Sequence, residues 1–160
     1  MRWLASQGLG GLEIEEIDAI RDFTLLWGLF EGRAMASEGS PAGIVAAVAR
    51  MEPDAPPPPA VAAALDHWRN RYWQEGAPTA LFDGLRFRNN EYRELAIEVL
   101  SGARDGHRDV LAALLLITLR LRNNLFHGVK WQYLLQGQLG NFTHANRLLM
   151  AAIELAVPPP

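Results

Sequence analysis

The chain has 160 residues, 49% of them hydrophobic and 21% charged, with 15 Lys and Arg against 18 Asp and Glu, the profile of one ordinary globular domain. It contains no cysteine and carries a net charge of −3, which excludes disulfides and thiolate metal sites and argues against a broad basic surface for non-specific nucleic-acid binding. Its longest apolar run, about ten residues bounded by Asp109 and Arg120, is too short to span a bilayer, and the amino terminus lacks the apolar stretch of a signal peptide, so a cytoplasmic protein without a membrane partner is expected.

Residues 1–12 are glycine-rich and without period, and read as a loose leader. From Leu12 the pattern turns helical. Ile14, Ile17, Ile20, Phe23, Trp27, Phe30 and Ala34 recur at steps of three or four and predict an amphipathic helix over Glu13–Ala36. Glu13, Glu15, Glu16 and Asp18 crowd its first turns, where the helix dipole favours acids. Ser37-Glu38-Gly39-Ser40-Pro41 breaks it. Pro41 then opens a short, alanine-rich helix through about Met51. Residues 53–59, with four consecutive prolines, predict a stiff surface connector.

A third helix is predicted over Ala60–Gln74, with Val61, Leu65, Trp68 and Tyr72 on one stripe and Gly76-Ala77-Pro78 as its end. Residues 79–89 mix Leu81, Phe82, Leu85 and Phe87 with Gly84, and predict either a short helix or an irregular packing segment. Glu91–Ser101 reads as helix, Gly102–Gly106 as a turn holding His107 at its far side. After a connection over Gly137–Gly140, a last helix starts near Asn141 and ends before the tail 158–160. No stretch alternates with period two. The expected fold is a single all-α domain, an up-and-down-like bundle of about five to six helices with its core over roughly 13–157.

The chain is organised around Asp109–Trp131. Ten of the twelve residues from Val110 to Leu121 are apolar, so this helix has no side to turn to water and belongs in the middle of the bundle. It runs into Arg122-Asn123-Asn124-Leu125-Phe126-His127-Gly128. Asn123 and His127 are four apart and share a face, which lets the amide orient the imidazole, and Arg122 lies about 100° round the helix from Asn123. Two readings are open. The cluster caps a helix C-terminus, where such residues meet free carbonyls and the dipole. Alternatively, a histidine titrating near neutrality beside a fixed cation cleaves phosphodiesters without metal. The histidine would take the ribose 2′-hydroxyl proton or protonate the leaving 5′-oxygen, and the arginine would stabilise the phosphorane-like transition state.

At these residues the chain resembles the HEPN domains, whose signature is an arginine, four to six residues, then a histidine, with a polar residue commonly after the arginine. The stretch RNNLFHG, followed by Lys130, is similar to bacterial HEPN domains of plasmid and phage defence. The string Phe23 to Glu31 (FTLLWGLFE) is similar to their first helix. The resemblance implies a helical bundle acting as a metal-independent endoribonuclease, with no cofactor, in toxin–antitoxin or other defence systems. It further implies a homodimer in which two motifs face one another across a twofold axis. Carried over by position, Arg122 and His127 are the catalytic pair and Asn123 the polar orienter. Lys130, Asn124 and Glu31 are weaker candidates for lining the RNA site, and a cognate antitoxin is a candidate partner. One departure matters. The tyrosine that some antitoxins modify with AMP sits two positions after the histidine, where this chain has Val129, with Tyr133 the next tyrosine; control of that kind does not fit. The alternative function is a non-catalytic bundle of the same type that binds a nucleotide or a protein partner. Elsewhere, His67 and His107 read as ordinary surface or helix-end histidines. His144, with Arg147 three residues on, reads as a structural or solvated group, with a second basic patch as the alternative.

Overall fold

In a computed structural model of the protein, which describes residues 3, 6–7, 11–36, 38–51, 56–127 and 135–156, the apolar stretch becomes the central post. Helix α6, His107–Phe126, buries every residue from Val110 to Leu121, the polar Thr118 and Arg120 included. Thr118 does so by returning its hydroxyl to Leu114 O at 2.8 Å. Arg120 does so through partners described below. Burial runs from Val110 through Arg120 to Leu121, as the apolar pattern predicts, and returns at Leu125.

The other helices are α1 (Ile14–Ala34), α2 (Pro41–Arg50), α3 (Pro59–Tyr72), the single turn α4 (Ala80–Asp83), α5 (Arg93–Ser101) and α7 (Leu139–Leu155). The fold is an all-α bundle. Among the described residues the only sheet is a hairpin of β1 (Trp73–Gln74) and β2 (Ala77–Pro78), and no helix is long and apolar enough to cross a membrane. Helix α1 packs chiefly on α7, α7 on α3, and α2, α5 and α3 on α6.

Local chemistry sets each boundary. Glu16, buried on the first turn of α1, accepts from the Glu13 amide at 3.0 Å and from Gly137 N at 2.9 Å, fastening the start of α1 to the turn before α7. The inward stripe holds at Phe23, Trp27, Phe30 and Ala34, but Ile14 is exposed, lying ahead of the point where α1 meets the core. Ser40 caps α2 by accepting from Gly43 N at 3.0 Å, with Pro41 in the first turn, as its fixed φ favours.

Several expected boundaries move. Pro59 belongs to α3 rather than to the connector, since proline fits the first helical position. The predicted third helix stops at Tyr72, because Glu75 and Gly76 both take left-handed conformations (φ 52° and 77°) and fold residues 73–78 into the hairpin. Helix α5 starts at Arg93, not Glu91. The Glu91 carboxylate instead accepts from Arg88 N at 2.8 Å, and Tyr92 is left-handed at φ 59°. Residues 79–89 contain both alternatives, the turn α4 capped by Thr79 and then irregular chain. His107 is the first residue of α6 rather than part of a turn. Gly140 lies inside α7, where a Cβ would stand 2.8 Å from the His67 ring; glycine lets α7 approach α3.

Candidate functional site

The Arg122–His127 cluster occupies the last turn of α6 and its cap. Helix α6 ends at Phe126. His127 is the capping residue, with φ −85°, ψ 21° and its amide donating to Asn123 O at 3.0 Å, so helical spacing still applies to it. Two adjacent stripes result. Arg122 and Phe126 form one, four residues apart; Asn123 and His127 form the other, about 100° round the helix.

Arg122 is half-buried. Its Nη1 donates to Asn123 Oδ1 at 3.1 Å, and its guanidinium lies 5.2 Å from the centre of the Phe126 ring. Among the described residues its Nε is buried without a hydrogen-bond partner. The His127 side chain and the Phe126 ring are exposed. The sequence suggested that Asn123 orients the histidine. Among the described residues the Asn123 amide instead holds the arginine, and no hydrogen bond joins it to His127.

The weaker candidates separate. Asn124 turns away from Arg122 and donates to Gly84 O at 3.2 Å, tying the end of α6 to the turn after α4. Glu31 is at the other end of the bundle. Its carboxylate accepts from Trp27 Nε1 at 2.7 Å, three residues before Ala34, whose carbonyl accepts from Arg50. The next residue, Met51, offers its carbonyl to Arg108 in the first turn of α6 at 3.2 Å. Arg108 lies 14 residues before Arg122, about 20 Å along the helix at 1.5 Å per residue. Glu31 thus does not line the Arg122 site within one chain. Lys130, Val129 and Tyr133 lie outside the described residues, as does Gly128.

Two polar arrangements support this end of the bundle, and the sequence reading missed both. The first is under the cluster. Arg120 Nε donates to Leu85 O at 2.9 Å and its Nη1 meets Glu91 Oε2 at 3.1 Å, with side chains only 9% and 14% exposed. Burial lowers the Arg120 pKa, with Arg88 and Arg86 adding to the effect and Glu91 opposing it.

The second joins α3 to α7. Asn141 Oδ1 accepts from Trp68 Nε1 at 3.1 Å and lies 3.0 Å from His67 Nε2; its Nδ2 donates to Gln138 Oε1 at 2.7 Å and to the Tyr72 hydroxyl at 3.4 Å. An amide oxygen only accepts, so His67 carries its hydrogen on Nε2. The His67 ring stacks on His144, centroids 4.4 Å apart and planes 19° from parallel. Neither histidine is an ordinary surface group. Among the described residues His144 Nδ1 is buried without a partner, and burial, then the charge of His67 and that of Arg147, pull its pKa below the usual value.

Beside Asn124 the bundle leaves a cavity of about 150 Å³ between α3, α4, α6 and α7. No family model, curated protein or solved structure matches the chain.

Proposed function

We propose that the protein is a cytoplasmic, metal-independent endoribonuclease of the HEPN type, a toxin or defence effector that cleaves RNA at a composite site in a homodimer. One observation carries the reading: a cation and a titratable imidazole stand at the end of a helix whose preceding residues, Val110 to Leu121, are all buried. A packed core of that kind holds its last turn in place, as catalysis requires.

Chemistry follows from the residue types. Cleavage joins the ribose 2′-oxygen to phosphorus and breaks the bond from phosphorus to the 5′-oxygen. His127 of one protomer takes the 2′-hydroxyl proton, and His127 of its partner gives a proton to the leaving 5′-oxygen. Arg122 offsets the charge that gathers on the phosphoryl oxygens. The products are a 2′,3′-cyclic phosphate and a 5′-hydroxyl.

The twofold arrangement has geometric support. Arg122 and His127 are five positions apart, about 140° round the helix, so within one chain they diverge. A second copy brings the arginine of one protomer toward the histidine of the other. Phe126, 51% exposed between them, supplies apolar surface for that contact. A cognate antitoxin would cover the same end.

A different reading is favoured by the state of Arg122, already bonded to Asn123 and stacked on Phe126. In it the bundle binds a nucleotide or a protein partner without cleaving it. RNA cleavage in EDTA separates the two. Wild type cuts and His127→Ala and Arg122→Ala do not if the enzyme reading holds; equal activity of all three removes it.

A further inference from the structure

The cavity beside Asn124 has the chemistry of a binding site. Its volume is about 150 Å³, and a cavity of roughly that size takes one benzene ring. Its lining includes the apolar Leu81, Leu121, Leu125 and Phe142 together with the polar Arg71, Tyr72 and Gln138, and among the described residues none that lines it is acidic.

Arg71 stands in the last turn of α3 with its guanidinium 5.8 Å from the centre of the Tyr72 ring. Among the described residues no carboxylate pairs with it. Its Nε is buried and, among the described residues, has no hydrogen-bond partner. The half-buried guanidinium is therefore placed to give charge-assisted hydrogen bonds to an anion in the cavity.

The neighbouring polar groups are donors too. The Tyr72 hydroxyl receives a hydrogen bond from Asn141 Nδ2, which leaves its own proton to give. Burial pushes that phenol up, partly opposed by Arg71, so the proton stays on. Gln138 has its oxygen occupied by Asn141 Nδ2, so the group it can still offer is its NH2, a donor. Helix dipoles do not decide the matter, because the start of α7 and the ends of α3 and α6 meet here with opposite signs. The charge preference rests on Arg71.

We infer that this cavity binds a small organic anion, one ring-sized apolar body bearing a carboxylate or a phosphate, with the anionic group on Arg71, Tyr72 and Gln138 and the ring against Leu121, Leu125 and Phe142. The site stands whether or not Arg122 and His127 cleave RNA.

Titration calorimetry of the whole chain tests this with four probes. Benzoate or phenyl phosphate binds one per chain, and the stronger of the two identifies the anionic group. Benzyl alcohol, which has the ring without the charge, and acetate, which has the charge without the ring, bind about tenfold more weakly or worse. Arg71→Met loses about tenfold toward the anionic ring compounds and Arg71→Lys recovers part of it, while thermal unfolding of both variants stays near that of wild type. Ala80→Phe, which fills the cavity from α4, abolishes binding. The inference is overturned if neither benzoate nor phenyl phosphate binds, if benzyl alcohol binds as tightly as they do, or if Arg71→Met binds like wild type.

Discussion

Replacing Glu91 with alanine leaves Arg120 in the core with one partner among the described residues, the Leu85 carbonyl at 2.9 Å. The pair is well shielded, with side chains 9% and 14% exposed. Breaking such a pair from one side costs about 3–5 kcal/mol, because a desolvated charge is left behind. The surviving bond to Leu85 O argues for the lower end, about 3 kcal/mol. Loss of the acceptor for Arg88 N, now 2.8 Å from Glu91, adds up to about 1 kcal/mol. The expected cost is therefore about 3–4 kcal/mol, or about 10 °C in Tm for a domain of this size. Urea unfolding followed by circular dichroism measures it. The paired change Glu91→Leu with Arg120→Met removes both charges and is expected to cost less than Glu91→Ala alone, since apolar replacements of buried pairs are often near neutral. Glu91→Ala within about 1 kcal/mol of wild type would refute the claim that this pair supports the end of α6.

Three further predictions concern the α3–α7 junction. Asn141→Leu strands the Trp68 indole N–H and the His67 ring and is expected to cost about 2–4 kcal/mol, measured by the same unfolding curves; a change below about 1 kcal/mol contradicts the network. Gly140→Ala places a methyl 2.8 Å from the His67 ring, which is stacked on His144 and hydrogen-bonded to Asn141. A loss of about 1–2 kcal/mol is expected, relieved in the double variant with His67→Ala. Stability also depends on pH. The pKa of His144 is lowered in the folded state from its ordinary value of 6.5, so below about pH 6.5 the unfolded chain binds the proton first and stability falls as pH drops toward the folded value. Tm measured between about pH 7.5 and about pH 5.5 should fall less in His144→Phe than in wild type.

Much of the fold could be read in the sequence because its signals are local. Val110–Leu121 is apolar on every face, which only a central helix can bury, and Ser40-Pro41 and Gly102 mark boundaries with their own backbone chemistry. The supports of the site could not be read this way. Asn141 meets His67 and Trp68 across more than seventy residues of chain, and no spacing rule links them. Arg120 looks like the end of an apolar run until Leu85 O and Glu91 are seen to partner it. Glu91 has helical neighbours in sequence, yet its carboxylate is drawn to Arg88 N and Arg120, and the helix begins two residues later. The hairpin at 73–78 is too short to show a period. Within the cluster, spacing gave which residues share a stripe but not that Asn123 bonds to Arg122 in place of His127.

The central claim, that Arg122 and His127 form a composite ribonuclease site, is tested most directly by the ends of the RNA it cuts. With purified protein in EDTA, the account predicts fragments bearing 2′,3′-cyclic phosphates and 5′-hydroxyls, lost in both His127→Ala and Arg122→Ala while their unfolding curves stay close to wild type. No cleavage by the wild type, or the same fragments from His127→Ala, would contradict it.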